Sequence, residues 1–170
     1  QDRLHVYDPT LGTPSARRAG LSTPSAPTAA DDGGAGSYAA TLRYYRQRYR
    51  IKSGSVVVAQ SEPSTSVSFT PNGNDTGVIV TKSATISESE THWVVEGSLD
   101  NSTFFELDEI AVGTTTYLDQ VAPSSYSIEP VSPVTGTYTN WTSVKYVIAA
   151  FNRILGIGSH ATGGFQSRLW

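Results

Sequence analysis

The densest run of side chains able to do chemistry is Arg43, Arg46, Arg48, Arg50 and Lys52, interleaved with Tyr44, Tyr45 and Tyr49. Guanidinium groups can neutralise phosphates while tyrosine rings stack on bases, so this run is a candidate nucleic-acid strip. On an extended strand the two-residue period places Arg46, Arg48 and Arg50 on one face. The competing reading pairs these cations across strands with Glu96, Glu106, Asp108 and Glu109, and leaves an arginine face for contact between subunits. A formal net charge of −3 favours this second reading, because a polyanion is best held by a basic excess. The candidate subunit contacts are therefore Arg46, Arg48, Arg50, Tyr45, Tyr49 and Trp170.

Other residue types that could do chemistry are scattered. His5, His92 and His160 sit in three separate segments without ligand spacing, which suits surface or interface positions better than a metal. Asp100, Asn101 and Asp119 could offer oxygens to calcium, but capping of turns explains them more simply. Glu106, Asp108 and Glu109 share one short strand and so cannot face each other across a cleft. Gly156-Ile157-Gly158-Ser159-His160-Ala161 mimics a dinucleotide fingerprint, yet no helix and no ribose-binding acid follow it. Asn74, Asn101 and Asn140 begin glycosylation sequons, which matter only in a secreted eukaryotic protein. The chain has no Cys, so disulfides and thiolate metal sites are excluded. These residues point to no catalytic, cofactor or metal set, and the expectation is a non-enzymatic protein.

The elements that must position these residues read as β throughout. Apolar residues make up 38% and charged residues 16% of the 170-residue chain; Ser, Thr, Gly and Pro fill the difference, which suits half-exposed strands. No apolar stretch is long enough to span a membrane. Residues 1–36 contain Pro9, Pro14, Pro24, Pro27 and the run Asp31-Asp32-Gly33-Gly34-Ala35-Gly36, and read as an extended arm. Residues 37–122 hold a hairpin over 38–60 and strands at Ser66–Thr70, Gly77–Lys82, Thr91–Ser98, Thr103–Val112 and Thr115–Leu118, separated by turns such as Pro71-Asn72-Gly73-Asn74-Asp75. Residues 123–142 read as a Pro- and Ser-rich linker. Residues 143–170 read as one strand over Ser143–Leu155 (a helix being the weaker alternative), a Gly-rich turn over Gly156–Gly164 and a last strand at Phe165–Trp170. The absence of Met and the end within a strand are expected of a piece of a larger polypeptide.

A family resemblance rests on the central segment. Thr91-His92-Trp93-Val94-Val95-Glu96-Gly97-Ser98, Phe104-Phe105-Glu106-Leu107 and Thr115-Thr116-Tyr117-Leu118-Asp119 resemble the third strand, its neighbour and the fifth strand of fibronectin type III modules. Ser66-Val67-Ser68-Phe69-Thr70 is similar to the first strand. The resemblance implies an immunoglobulin-like β-sandwich with two departures. Val78-Ile79-Val80 stand where a core Trp is usual, so Trp93 is expected to fill the core. The closing strand pair, due after Asp119, is best matched by the hairpin 38–60, which implies a permuted sandwich. The flanks Pro24–Ala30, Phe151–Gly158 and Gly164–Trp170 resemble segments of tailed-phage virion proteins, the latter two resembling the opening of a β-propeller in tail-nozzle proteins. That likeness implies a structural tail component, located in the virion, that contacts copies of itself in a ring or tube and other virion proteins and needs no cofactor. The alternative is a carbohydrate-binding or adhesive module of a tail fibre or surface protein, with Trp93, Phe104, Trp141 and Trp170 forming a glycan platform.

Overall fold

The computed structural model describes residues 20–138 with their side chains and, outside them, the backbone of five further strands. The strands are β1 (His5–Tyr7), β2 (Ala16–Arg18), β3 (Thr28–Asp31), β4 (Arg43–Ser53), β5 (Val56–Gln60), β6 (Val67–Phe69), β7 (Val78–Thr81), β8 (His92–Ser98), β9 (Phe105–Ala111), β10 (Thr116–Asp119), β11 (Tyr146–Ala150), β12 (Arg153–Ala161) and β13 (Gly164–Leu169). They fall into two units, residues 21–139 and residues 1–20 with 140–170.

The unit 21–139 is an all-β sandwich of two antiparallel sheets. One sheet has the order β5-β4-β8-β9, with β6 also paired to β4; the other has the order β10-β7-β3. Strand β4 is the hub of the larger sheet. Its two-residue period turns Tyr45, Gln47, Tyr49 and Ile51 inward, all buried, and sets Arg46, Arg48, Arg50 and Lys52 on the opposite face. Gly54 closes the β4–β5 hairpin at φ +59, a conformation that only glycine adopts freely. Tyr45, Tyr49, Trp93, Val95 and Leu107 from the larger sheet meet Val78 and Val80 from the smaller one in a common core. Trp93 is fully buried and donates its indole N–H to the Thr114 carbonyl at 2.9 Å. Burial of a ring this large is the main hydrophobic contribution a single residue makes here, while the hydrogen bond satisfies its one polar atom.

The hairpin 38–60, expected as the closing pair, does lie beside β8: Tyr44 pairs with Ser98 and Arg50 with His92. Most strand boundaries shift by one or two residues, whereas β4 begins at Arg43, five residues beyond Tyr38. Strand β6 joins β4 in the larger sheet, and β3 takes the place next to β7 instead. That placement corrects the reading of residues 1–36 as an arm throughout. Leu21 is buried in the core, and Thr28–Asp31 form a sandwich strand. The Gly-rich segment is likewise docked, because Ala35 bridges Asp75 and a Cβ on Gly36 would stand 2.6 Å from the Asp75 carbonyl oxygen.

Residues 123–138 are not a free linker either. A 3-10 turn over Pro123–Ile128 buries Tyr126, and Val131 bridges Phe105 at the edge of β9. Phe104 and Glu106 extend that attachment through backbone bonds with Ser132 and Pro130 at 2.9 and 2.8 Å.

In the other unit, β1 pairs with β2, and β11, β12 and β13 form an antiparallel sheet in that order. Ser143–Leu155 therefore supplies parts of two strands rather than one, and Gly156–Ala161 continue β12 where a turn was expected. Glycine offers no side chain to oppose the extended backbone, so Gly156 and Gly158 are compatible with either state, and sheet pairing decided it.

Candidate functional site

The cationic face of β4 is the most charged place on the sandwich, and its neighbours in register are acids. Arg46 lies opposite Glu96, which in turn lies opposite Glu106; Val94 lies opposite Glu109. Glu96 is fully buried and accepts from both Arg46 and Arg48. Arg50 donates to Glu106 at 2.6 Å and Glu109 at 2.8 Å, and Lys52 also donates to Glu109. Four cations and three carboxylates thus form a ladder across β4, β8 and β9. Desolvation pulls Arg46 down and this outweighs Glu96 beside it, whereas for Arg50 the pull of Glu109 and Glu106 wins over desolvation. Burial pushes the Glu109 carboxyl up, but Lys52 and Arg50 together hold it below its ordinary value.

A strap over residues 129–138 covers the Arg46–Arg48 end of this ladder. Arg48 donates to the Pro133 carbonyl and its guanidinium faces the Tyr138 ring, 5.9 Å from the centroid. Arg46 reaches Thr135 at 3.4 Å and stacks on the Phe104 ring at 3.8 Å. Glu62 accepts from the backbone N–H of Gly136 at 2.8 Å and from that of Tyr138. The arrangement ties the segment after the sandwich onto the outer face of the sheet.

The residues singled out as subunit contacts are accordingly placed as follows. Arg46, Arg48 and Arg50 do share one face and do pair with Glu96, Glu106 and Glu109. The exposed face expected of them is absent: Arg48, Tyr45 and Tyr49 are fully buried, and the Arg46 and Arg50 side chains keep only 11% of their surface in solvent. The cause is packing from both sides, with the smaller sheet against the tyrosines, the strap against Arg46 and Arg48, and Gln60, Glu106 and Glu109 around Arg50. Trp170 lies outside the described residues, as do the side chains of His5, Trp141 and His160. Trp93 and Phe104, named for a glycan platform, are both buried. Asp108, in the same acidic strand, points away from the ladder and bonds the Glu109 N–H.

Two polar clusters carry no clear sequence signal. Asp119 is completely buried and accepts from the Tyr45 hydroxyl at 2.6 Å, from the Tyr126 hydroxyl, and from the Val121 N–H at 2.9 Å. Desolvation, reinforced by the Asp119 charge, drives the Tyr45 and Tyr126 phenols far above their ordinary pKa. Gln47, also fully buried, donates to Ser25 at 3.0 Å and Ser83, and accepts from the Ser83 N–H at 3.2 Å. It fastens the entering chain and the β7–β8 connection to β4. Arg43 is buried at the start of the same strand, donates to the Ala39 and Thr41 carbonyls, and lies 4.1 Å from the Tyr38 ring centroid.

Asp100 holds a turn by accepting from the N–H groups of Ser102 and Thr103 at 2.8 Å, and these bonds lower its pKa. With Asp119 sealed in the core and Asp100 engaged in its turn, the two do not form a shared oxygen cage. Among the described residues, no group of three or more His, Asp or Glu could hold a metal ion. A shallow cleft of about 430 Å³ is lined by Leu99, Asp100, Phe105, Pro123 and Tyr126, among others. Its acid and phenol are those already bound elsewhere, which leaves a mainly apolar dimple. Among the described residues, no helix is long and apolar enough to cross a membrane.

No protein-family model, curated protein or solved structure matches the chain.

Proposed function

We propose that this chain is a structural segment, a fibronectin-like sandwich of permuted strand order that serves as a connector in the tail of a tailed-phage virion. The strand order supports the fibronectin-like reading. On this reading β3-β7-β10 correspond to A, B and E, and β8-β4-β5 to C, F and G, of an immunoglobulin-type sandwich. The F–G hairpin then precedes B instead of following E. The tail assignment rests on the sequence likeness of the flanks.

The single observation that carries the connector role is the strap. Residues 129–138 leave the sandwich under the grip of Arg46, Arg48 and Glu62, so the chain is fixed to the sheet as far as Tyr138. A connector needs such fixation, because a loosely hinged exit transmits no orientation. The cations and carboxylates of the ladder are paired with one another. The reading is tested in a tailed phage whose genome encodes this sequence. Gold-labelled antibody to the sandwich should decorate the tail. Absence of its peptides from purified particles, by mass spectrometry, overturns the assignment.

A further inference from the structure

Asn72-Gly73 is the chain's single Asn-Gly pair and lies in the turn between β6 and β7. Asn72 is exposed, and its carboxamide is held at both ends. Oδ1 accepts from the Asn74 N–H at 2.6 Å, and Nδ2 donates to Asp75 Oδ2 at 2.7 Å. An asparagine oxygen bonded to the N–H two residues on folds its carboxamide back over the intervening peptide, here that of Gly73. Among the described residues, nothing accepts from the Gly73 N–H. Gly73 also carries no Cβ to shield its nitrogen, and its φ of +86 suits a residue without one. The turn therefore sets a free nucleophile beside an amide carbon whose oxygen already faces an N–H, ready to stabilise charge that develops there. Asp32-Gly33 differs, because its carboxylate oxygens are taken up by Thr76, Gly77 and Gly34.

We infer that Asn72 is a self-modification site, where the turn closes to a cyclic imide with loss of ammonia and water reopens it to aspartate or isoaspartate. The Gly73 nitrogen bonds to Asn72 Cγ and gives its proton to solvent. The Cγ–Nδ2 bond breaks, and the departing nitrogen takes a proton from water and leaves as ammonia. One water then adds to either imide carbonyl, so the sum is one water consumed and one ammonia released, without oxidation or reduction. The product falls within a joint that holds the entering chain. Asp31 accepts from the Asn72 N–H at 3.1 Å, Gly36 donates to the Asn74 carbonyl at 2.8 Å, and Tyr38 donates to the Asp75 carbonyl at 2.9 Å. Either product puts a carboxylate where a donor had faced Asp75, and like charges that close repel. Isoaspartate also lengthens the main chain by one carbon. The joint between residues 31–38 and this turn therefore loosens as the protein ages, whatever assembly the sandwich serves.

The test incubates the full 170-residue chain in mildly alkaline buffer and follows each asparagine by peptide mass spectrometry, with isoaspartyl methyltransferase to reveal isoaspartate. Asn72 should convert at least about tenfold faster than Asn74 or Asn101, which precede the bulkier Asp75 and Ser102. Because the folded turn presets the attack, Asn72 should convert at least as fast in the folded chain as in the chain unfolded by guanidinium chloride. Slower conversion in the folded chain, or earlier conversion at Asn74 or Asn101, overturns the inference. Asn72→Asp installs the charge without the reaction. It should lower the thermal midpoint, by an amount that shrinks as salt is added. An unchanged midpoint overturns the claim that the product loosens the joint.

Discussion

Glu96 and Glu109 each serve two cations, and they differ chiefly in burial. Glu96 is fully enclosed between Arg46 and Arg48, whereas the Glu109 side chain is 24% exposed beside Arg50 and Lys52. Replacing either with Gln keeps the shape and removes the charge. For Glu96→Gln, two guanidinium groups lose their carboxylate where water cannot replace it, and one is forced against the new amide N–H. Breaking a buried pair in this way costs about 3–5 kcal/mol. For Glu109→Gln, Arg50 retains Glu106 and solvent screens the remainder, so the loss should be about 1 kcal/mol or less. At this size each kcal/mol moves the midpoint by roughly 3–5 °C, which predicts a fall of roughly 10–20 °C for Glu96→Gln against a few degrees for Glu109→Gln. Thermal melts of the full chain, followed by circular dichroism and repeated in urea, measure both. Salt provides a second axis: at about 1 M the screening length falls to about 3 Å, which should narrow the Glu109 effect and leave that of Glu96 nearly unchanged. Equal losses for the two variants would refute the claim that enclosure, rather than the number of partners, sets the strength of the ladder.

The buried phenols predict behaviour in alkali. Burial raises the pKa of Tyr38, Tyr45, Tyr117 and Tyr126 above the model-compound value of 10.0, so their contribution to stability is complete below pH about 10 and is lost as pH rises. Ultraviolet titration should show these rings ionising together with unfolding, not before it; early, independent ionisation would contradict their burial. In acid, the lowered carboxyls of Glu109, Asp32 and Asp100 give stability that is present above their unfolded pKa and lost as pH falls through the folded one. Urea midpoints should therefore decline below pH about 5, and a flat profile would count against those bonds. Gly97→Ala puts a Cβ 2.7 Å from Leu107 Cδ1 and 2.9 Å from Tyr126 Cε2, an overpacking expected to cost about 1–3 kcal/mol in the same melts. Asp119→Ala leaves the Tyr45 and Tyr126 hydroxyls buried without their acceptor and should destabilise more than Tyr45→Phe, which removes only one donor.

The strands were legible where side chains alternate. Tyr45, Gln47, Tyr49 and Ile51 against Arg46, Arg48, Arg50 and Lys52 declare two faces, and the pairing of those cations with Glu96, Glu106 and Glu109 follows from opposite charges on neighbouring strands. What alternation cannot reveal is what covers the outer face. The strap carries Pro130, Pro133 and Gly136, residues shared with free linkers, and it is held mainly through backbone groups that no side chain advertises. The same holds for Leu21 and β3, whose docking depends on a long-range fit to β7. Asp119 reads as a turn residue because it ends a strand; its burial is decided by Tyr45, 74 positions away. The Gly-rich part of β12 was misread as a turn because glycine permits turns without requiring them.

The hub position of β4 has a consequence for the chain during its own synthesis. The hairpin β4–β5 is complete once Gln60 emerges, but the strand that pairs with its other side ends at Ser98. At ribosomal rates of about 5–20 residues per second, some 40 residues of delay mean that the hairpin waits roughly 2–8 s. Until β8 emerges, the hairpin's tyrosines lack Trp93 and Val95 and its arginines lack Glu96. A nascent hairpin with one apolar and one cationic face is a ready substrate for a chaperone, and the uncharged β5 edge makes premature contact between neighbouring chains on one message a hazard. Placing the hairpin ahead of its partners thus makes the order of emergence, as well as the finished architecture, part of what this sequence has to manage.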